Sequence, residues 1–337
     1  VLRPACNVDL ARSFPSMGRV MMFQREFLQA IGGLDPAFTQ LTVYDAMFRC
    51  LENFGPIAVG RVSEVICITA DTAMEWLKNE AVQAEYPHIV SAHLARMGLD
   101  AVVEKTPELP VQRVRYNWAV QPLVSIIIPT RDHYVLLKNC IETLMEKTLW
   151  ARYELLIVDN GSVCEETTKF LEQLAGLKLS NLSVLRYLEP FNFAAINNFA
   201  VQHARGDVLL FLNNDVTITQ GDWLHAMMEQ AMRPEVGMVG ARLEYKDGRV
   251  QHAGFTVGVR FGVEPSFENE PANEKGYLYY LQAARNVTAV SAACMMIRKE
   301  VFIEANGFSE ERFPLYFGDV DLGMKLQQQG YLNVWTP

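Results

Sequence analysis

The sequence predicts an α/β fold built on a mostly parallel sheet. Four short, mostly apolar runs suit strands that are buried on both faces: 123–128, 155–158, 182–187 and 208–212. Stretches with apolar residues at helical spacing lie between them, for example 136–145 and 194–204. Strands and helices that alternate at this spacing form parallel sheets with right-handed crossovers.

Composition narrows the class of protein. The chain has 337 residues, 50% of them hydrophobic, and a formal net charge of −9. Its length suggests about two domains, and its acidic balance argues against a nucleic-acid binder, which needs a basic face. No apolar run reaches the roughly 18 residues that a membrane span needs. The six cysteines include no Cys-x-x-Cys pair, which predicts neither zinc nor a disulfide framework and favours a reduced, cytosolic setting.

The first third of the chain is less regular. Its opening residues are predicted to mix short strands with helices: strands at 19–23 and 57–59, helices at 26–31 and 44–53. Residues 73–97 have apolar residues at helical spacing, and a break is expected near Pro87 because proline interrupts the helical hydrogen bonds. Gly98 suits the end of that helix.

An internal repeat links the two ends of the chain. The six residues that start at Met21 parallel the six that start at Met295, and Gly33 then parallels Gly307. With a two-residue gap, an acidic and a basic residue four positions apart also align: Asp45 and Arg49 with Asp321 and Lys325. This alignment puts Val43 at the position of Asp319, whereas the ungapped alignment puts Asp45 there. We prefer the gapped alignment because it also matches Arg49 with Lys325.

The repeat predicts the domain organisation. Residues 1–70 are expected to be the C-terminal remnant of a preceding domain, 71–121 a helical and extended connector, and 122–337 a second domain of the same kind that is truncated at its C-terminus. The chain begins without an initiator Met and ends directly after an apolar run, so we expect it to be a piece of a longer polypeptide.

The later part of the chain is predicted to be β-rich. After Pro234 the pattern indicates a hairpin turn at 245–249, a surface loop at 264–275, a buried strand at 287–297 and a helix at 319–329. Neither GxGxxG nor GxxxxGK[ST] occurs, so the common dinucleotide and P-loop phosphate sites are absent from the sequence.

Four carboxylates are predicted at the ligand edge of the sheet. Asp132, Asp159 and Asp215 follow strands and Asp319 begins a helix, and loops beyond the carboxyl ends of parallel strands are where such sheets bind ligands. The stretch Asn213-Asn214-Asp215 suits a divalent cation with a diphosphate, although Asn and Asp also favour plain turns.

Five stretches occur in order along the chain: 124–132, 157–162, 191–198, 212–215 and 318–322. Together with the run Gln251-His252-Ala253-Gly254, they resemble the motifs of family 2 inverting glycosyltransferases with the GT-A fold. The nearest likeness is to rhamnosyltransferase-like, often tandem-domain enzymes of bacterial O-antigen and surface-polysaccharide synthesis. The resemblance covers 122–337, with 1–70 as the end of a preceding copy.

The resemblance implies a role for each site residue. The loop after the first strand would line the nucleotide pocket: Pro129, Thr130, Arg131 and Asp132. Asp159 would accept a hydrogen bond from N3–H of uracil or thymine, and Asn198 would support the nucleotide side. Asn213 and Asp215 occupy the DxD motif that binds Mg²⁺ or Mn²⁺ and the diphosphate. Asp319 holds the position of the general base, and His252 is a candidate for substrate contact.

Each role has an alternative, and the motifs depart from the family pattern. Asp159 could cap the following turn, Asp319 could be only a helix N-cap, and His252 could be a hydrogen-bonded turn residue. Asn213 replaces the first carboxylate of DxD, which predicts low metal affinity. Gly318 replaces the usual acidic residue before the base, and a histidine that often follows the last strand would lie beyond residue 337.

The implied function is transfer of a sugar from a UDP- or dTDP-sugar to a saccharide or lipid-linked saccharide, in the cytoplasm, with room for peripheral association at the inner face of the plasma membrane. A nucleotidyltransferase is disfavoured because residues 129–132 are not the Gly-rich, basic loop that it needs. A non-catalytic GT-A-like scaffold or binding module of a polysaccharide assembly system remains the alternative. Neither the sugar nor the linkage follows from the sequence.

Overall fold

The computed structural model describes residues 6–62, 68–70, 72–259 and 262–337. Residues 1–5 and 63–67 of the predicted N-terminal remnant, residue 71 of the predicted connector and residues 260–261 of the predicted second domain lie outside the described residues. The chain divides into two units. The first comprises residues 1–118, 273–286 and 337, and the second comprises 119–272 and 287–336.

The first unit is mainly helical in its described part. Its helices and its antiparallel hairpin are α1 (Val8–Ser13), α2 (Arg25–Ala30), α3 (Thr42–Phe54), α4 (Ala73–Leu77), α5 (Glu80–Arg96), β1 (Ala101–Lys105) and β2 (Gln112–Tyr116). Helices α3 and α5 share a core in which Tyr44, Phe48 and Ile89 are fully buried. The helices predicted at 26–31 and 44–53 are thus confirmed as α2 and α3.

Two strands predicted in this region are wrong. No strand forms at 19–23: Met21 packs against the helical core while Met22 is 97% exposed. Residues 19–23 therefore contribute an isolated packing contact and form no ladder of backbone hydrogen bonds. The strand expected at 57–59 is a 3₁₀ turn at Pro56–Ala58, since proline has no N–H to donate to a ladder and sets the φ of a helix start.

The predicted helix break near Pro87 is also misplaced. Pro87 lies inside α5, and the break falls between α4 and α5. There the Oδ1 atom of Asn79 accepts hydrogen bonds from the Ala81 and Val82 N–H groups, which caps the new helix. Burial of Tyr86 and Ile89 on either side of Pro87 supports the helix where the proline removes one bond.

From residue 119 onward, strands and helices alternate and then give way to shorter strands. They are β3 (Val124–Thr130), α6 (Tyr134–Lys147), β4 (Tyr153–Asp159), α7 (Glu165–Gly176), β5 (Leu182–Arg186), α8 (Phe193–His203), β6 (Val208–Leu212), α9 (Trp223–Ala231), β7 (Val236–Ala241), β8 (Leu243–Glu244), β9 (Val250–His252), β10 (Phe255–Val259), β11 (Gly262–Pro265), β12 (Arg285–Val287), β13 (Cys294–Arg298), α10 (Lys299–Glu304), α11 (Gly318–Gln328) and β14 (Leu332–Thr336).

The central sheet has the order β12-β14-β7-β13-β6-β3-β4-β5. β6, β3, β4 and β5 pair in parallel, as do β14 and β7. β13 is antiparallel to both of its neighbours, β6 and β7. The prediction of a mostly parallel sheet in an α/β fold is therefore confirmed.

Both faces of the sheet are covered. On one face, alternate residues of β3 and β6, such as Ile126 and Leu210, pack with Leu137 and Met227 from the flanking helices. On the other face, the Phe211 ring lies 5.3 Å from that of Phe302. Strands covered on both faces carry few polar residues, which is the pattern that the sequence shows. Among the described residues, no helix is long and apolar enough to cross a membrane.

The strand predicted at 287–297 is wrong as a single element. β12 ends at Val287 and β13 begins at Cys294, and residues 288–293 between them lie outside both strands. We call residues 288–293 the inter-strand segment. Its backbone groups find other partners: Asn333 Nδ2 donates to Thr288 O at 2.7 Å, and Phe255 N–H donates to Ala289 O at 2.9 Å.

Two glycines let the inter-strand segment lie close to the sheet and to α11. A Cβ atom added at Gly240 in β7 would lie 2.4 Å from Val290 Cβ. One added at Gly323 in α11 would lie 2.6 Å from Ala289 Cβ and 2.8 Å from Thr288 O. All three separations are shorter than real Cβ contacts, so these two positions require glycine for close packing.

Gly323→Ala should therefore destabilise the protein by about 1–3 kcal/mol, the usual cost of overpacking. Gly176→Ala is the matched control, because Gly176 is also helical and nothing lies within 4 Å of an added Cβ there. The control should change the unfolding free energy by no more than about 0.5 kcal/mol. Denaturant unfolding measures both variants, and equal effects would contradict the close packing of the inter-strand segment.

Candidate functional site

The carboxyl ends of β6, β3 and β4 lie side by side at one edge of the sheet. Thr130 and Asp159, the last residues of β3 and β4, are paired in register, and both are buried. Asn160 N–H donates to Thr130 O at 2.9 Å. Pro129 precedes them and is half-buried. The side chains predicted at the ends of these strands are thus held at the ligand edge of a parallel sheet.

Asp132 ties the loop after β3 to the loop after β4. Its Oδ1 atom accepts hydrogen bonds from Val163 N–H and Cys164 N–H, both at 2.8 Å, and its own N–H donates to Ser162 Oγ at 2.9 Å. The Cys164 and Val163 N–H groups hold the pKa of Asp132 below its ordinary value. Neighbouring Arg131 is exposed, which leaves its guanidinium available to a ligand.

Asp159 makes a turn hydrogen bond. Its Oδ1 atom accepts from Ser162 N–H at 2.9 Å, and Gly161 between them has a φ of 70°, where glycine is favoured. The turn interaction anticipated from the sequence is therefore present. It uses one carboxylate oxygen of Asp159 and leaves the nucleotide role of this residue as a prediction.

The three residues after β6 have different surroundings. Asn213 N–H donates to Ala293 O at 3.0 Å, and Asn214 Nδ2 donates to Thr130 Oγ1 at 2.9 Å. Asp215 is exposed. Burial raises the pKa of the Cys140 thiol to about 12, and the negative charge of Asp215 contributes to this rise, so the Asp215 carboxylate lies near the middle of α6.

Asp319 lies in the first turn of α11. Its Oδ2 atom accepts from Ala292 N–H at 3.0 Å, and its Oδ1 atom accepts from Val320 N–H at 2.9 Å. Burial raises the pKa of Asp319 above its ordinary value, although these N–H groups oppose the rise. Phe317, just before the helix, has a φ of 64°, an uncommon conformation for a bulky side chain and one found often at functional sites.

His252 is buried at the end of β9. Its Nε2 atom accepts hydrogen bonds from Ser291 N–H at 3.0 Å and from Gly254 N–H at 3.2 Å. The interpretation of His252 as a hydrogen-bonded turn residue is therefore supported by its contacts, and its contact with substrate remains a prediction.

Asn198 in α8 holds the loop that leads to α11. Its Nδ2 atom donates to Phe308 O at 2.9 Å and to Glu310 Oε1 at 2.8 Å, and its Oδ1 atom accepts from Phe308 N–H at 3.1 Å. Any support that Asn198 gives to a nucleotide is therefore indirect, through the loop it fixes.

The structure gathers the predicted residues into two groups. The first joins the ends of β3, β4 and β6: Thr130, Asp132, Asp159 and Asn214. The second converges on the inter-strand segment: Asn213, His252 and Asp319 bond to Ala293, Ser291 and Ala292. Sequence reasoning missed Ala292, since it contributes only a backbone N–H and no side-chain chemistry could have revealed it.

The described residues include no group of three or more His, Cys, Asp or Glu side chains that could hold a metal ion by themselves. A divalent ion of the Mg²⁺ type can nevertheless be held by one or two carboxylates with substrate phosphates and water. Exposed Asp215 fits an ion that arrives together with a diphosphate.

The fold and the site at the edge of the sheet identify the class of protein. The structure resembles GalNAc-T7 with UDP, GalNAc and Mn²⁺, with a TM-score of 0.54 at 13% identity over 64% of this chain and 42% of that chain. The fold is a GT-A-like α/β fold with a mostly parallel central sheet. Residues 125–305 match the family described as "Glycosyl transferase family 2". This match spans more than half of the chain, and the chain belongs to that family.

Two named proteins are similar to this chain in sequence. The chain is 35% identical over 340 residues to the O-antigen biosynthesis protein RfbC of Myxococcus xanthus, an alignment that covers 99% of this chain and 26% of RfbC. It is 28% identical over 139 residues to the N-acetylglucosaminyl-diphospho-decaprenol L-rhamnosyltransferase of Mycobacterium tuberculosis (strain ATCC 25618 / H37Rv), covering 39% of this chain and 45% of that enzyme. The chain spans 37% and 26% of the two curated relatives that it matches along 99% of its own length.

Proposed function

We propose that this chain transfers a sugar, with inversion at the anomeric carbon, from a UDP- or dTDP-sugar to a saccharide acceptor in bacterial surface-polysaccharide synthesis of the O-antigen type. Family membership and the names of the two relatives support this proposal. The observation that carries it is the Asp319 carboxyl group, which has a raised pKa and is fixed by the Ala292 N–H beside the ends of the sheet strands.

The donor nucleotide would lie over the ends of β3 and β4. Residues 129–132 line this pocket, and the exposed Arg131 offers a positive charge to the phosphates. Asp159 is proposed to accept the N3–H of the pyrimidine with the oxygen that does not bond to Ser162. The Asp132 bonds to Val163 and Cys164 would keep the two loops at a fixed separation.

A divalent ion, Mg²⁺ or Mn²⁺, would be held by Asp215 and the donor diphosphate, with Asn213 beside it. When bound, such an ion neutralises the charge that develops on the leaving diphosphate. The backbone N–H of Asn213 donates to Ala293 O, so the backbone of this residue is held in place. Exposed Asp215 can adjust to the ion and the phosphates.

Asp319 would act as the general base. The acceptor hydroxyl oxygen forms a bond to the anomeric carbon on the face opposite the nucleotide, its proton passes to Asp319, and the bond from carbon to the diphosphate oxygen breaks. The transition state resembles an oxocarbenium ion. Because its pKa is raised, the ionised carboxylate of Asp319 is a better proton acceptor than that of an exposed Asp. For the same reason, this ionised form becomes protonated, and stops acting as a base, at a less acidic pH.

We also propose that residues 1–70 are the remnant of a preceding copy of the same domain, followed by a connector at 71–121. Helices α2 and α10, at matching positions of the repeat, have six residues each. Each is followed by a glycine with positive φ whose N–H donates to the carbonyl five residues earlier: Gly33 to Leu28 at 2.8 Å and Gly307 to Phe302 at 2.9 Å. The aligned acid–base pairs both form ion pairs at 2.7 Å: Asp45 with Arg49 and Asp321 with Lys325.

The proposed donor places the reaction in the cytoplasm. A lipid-linked saccharide acceptor would bring the protein to the inner face of the plasma membrane as a peripheral protein. The alternative, a non-catalytic GT-A-like scaffold, is favoured by the single carboxylate of the central motif. Nucleotide binding without donor hydrolysis or transfer, with and without Mn²⁺, would support the scaffold and contradict the enzyme.

Asp159→Ala should weaken UDP or dTDP binding by about 1–3 kcal/mol, because the buried N3–H group of the pyrimidine loses its hydrogen-bond acceptor. Asp159→Asn should weaken binding as well, since its amide can still accept from Ser162 but presents an N–H to the base. Asp247→Ala, which removes an exposed carboxylate paired with Arg249, should leave affinity unchanged. Calorimetry measures all three, and wild-type affinity in Asp159→Asn would reduce Asp159 to a turn residue.

Mn²⁺ should tighten nucleotide binding in the wild type and not in Asp215→Ala, because Asp215 supplies the carboxylate of the central motif. Asp207→Ala is the matched control: it removes an exposed Asp at the opposite end of the same strand, β6. Titration of nucleotide with and without Mn²⁺ measures the effect. If Asp215→Ala responds to Mn²⁺ as the wild type does, the ion is bound elsewhere.

Asp319→Asn should keep donor affinity near that of the wild type and lower the transfer rate by about 10²–10⁴-fold, the range of general-base catalysis. Its melting temperature should fall only modestly, because the amide oxygen can still accept from one of the Ala292 and Val320 N–H groups. Asp321→Asn is the control: it removes the ion pair with Lys325 and should lower stability more than rate. Retention of about half the wild-type rate by Asp319→Asn, a barrier change under about 0.5 kcal/mol, would remove Asp319 as the base.

A further inference from the structure

A buried histidine holds the segment that contacts the proposed base. The Nε2 atom of His252 accepts from both Ser291 N–H and Gly254 N–H, at 3.0 and 3.2 Å. A backbone N–H can only donate, so Nε2 acts as the acceptor in both bonds. The ring also contacts Phe255, at 4.7 Å between ring centroids. His252 is thus an oriented hydrogen-bond acceptor inside the protein.

The amide next to the one that His252 binds is the amide that Asp319 binds. Ser291 N–H is bonded to His252, and Ala292 N–H is bonded to Asp319 Oδ2 at 3.0 Å. The next residue, Ala293, accepts from Asn213 N–H at 3.0 Å. Each peptide group is planar, and the two that carry these N–H groups meet at the Ser291 Cα atom. With the Ser291 N–H held by His252 and the Ala293 carbonyl held by Asn213, rotation about the Ser291 backbone dihedrals is restricted, and so is the direction of the Ala292 N–H.

The turn that carries His252 is itself held against the sheet. Gly254 has a φ of 86°, and a Cβ atom added there would lie 2.6 Å from Val287 Cγ1. The histidine therefore projects from a turn that is packed against the residue preceding the inter-strand segment. This arrangement fixes both ends of the hydrogen bond from Ser291 to His252.

We propose that His252 is a positioning residue for sugar transfer, which acts through Ser291 to hold the Ala292 N–H on the Asp319 carboxylate. The proposal rests on the proposed function of Asp319 as the base. It gives His252 a role through the inter-strand segment instead of direct contact with substrate. It also predicts that the acceptor atom at Nε2 matters more than the aromatic ring.

Three variants separate these contributions. In His252→Gln, the side-chain oxygen reaches about as far as Nε2 and can accept from Ser291. In His252→Asn, the oxygen lies near the position of Nδ1 and falls short. His252→Leu fills similar space and has no acceptor. We expect His252→Gln to keep most of the transfer rate, and the Asn and Leu variants to lose about 10–100-fold in kcat, as small misplacements of catalytic groups do.

The pH profile tests the link to the base. The Ala292 N–H lowers the pKa of Asp319 against the effect of burial, so loss of this bond should raise that pKa further. The acid limb of kcat should therefore move to higher pH in the Asn and Leu variants and stay in place in His252→Gln, while the donor KM stays within about twofold. Unchanged kcat and acid limb in folded His252→Leu would overturn the proposal, even with a lowered melting temperature.

Hydrogen exchange separates this proposal from the proposed function. The Ser291 and Ala292 amides should exchange faster in the Asn and Leu variants than in the wild type, and remain protected in His252→Gln. If Asp319→Asn retains transfer, the base assignment fails on its own evidence, and the exchange rates still decide whether His252 holds the segment. Equal protection in all three variants, or equal losses in Gln and Asn, would refute the positioning role.

Discussion

The inter-strand segment is the constraint on which the candidate site depends. Its residues lie outside the strands of the central sheet, and buried backbone N–H and C=O groups that are not paired in a sheet need other hydrogen-bond partners. Strands, turns and α11 supply them, through side chains or backbone: Asn213, His252, Phe255, Asp319 and Asn333. Three of these are also the residues that the sequence predicts for the chemistry. Substitution of His252 or Asp319 therefore affects folding and function together, unless the variant keeps the hydrogen-bonding atom. Asn213 bonds through its backbone N–H, so a side-chain substitution there leaves the contact in place.

The two sides of the site differ in how firmly they are held. Asp319 and His252 are fixed by backbone N–H groups, whereas Asp215 and Arg131 are exposed. A base must already point at its proton when the acceptor arrives, because reorientation during the reaction raises the barrier. A metal ligand that works with a diphosphate is completed only when the donor binds. The proposed division between a rigid acceptor side and an adaptable donor side follows from these requirements.

Most of the sheet could be predicted because its signals are local. Continuous apolar runs identify β3, β4 and β6, and the parallel topology then brings their carboxyl ends together. The prediction of a single strand at 287–297 was wrong because an apolar composition is the same whether the backbone forms a ladder or bonds to distant side chains. The observed path depends on Gly240 and Gly323, which lie outside this run and leave room for its backbone. The prediction of a helix break near Pro87 was wrong because the tertiary packing of its neighbours outweighs one lost hydrogen bond.

The antiparallel strand β13 has a consequence for the order of folding. Cys294 pairs with Leu212, and β13 lies between the β6-β3-β4-β5 and β12-β14-β7 parts of the sheet. The strand–helix–strand units before it close over short sequence separations, whereas this pairing must bring together residues more than eighty positions apart, and such non-local contacts form slowly. We therefore expect the half that carries the proposed nucleotide-binding loops to assemble first and the inter-strand segment to dock last. A nascent chain would gain these loops before Asp319, the proposed base, is positioned.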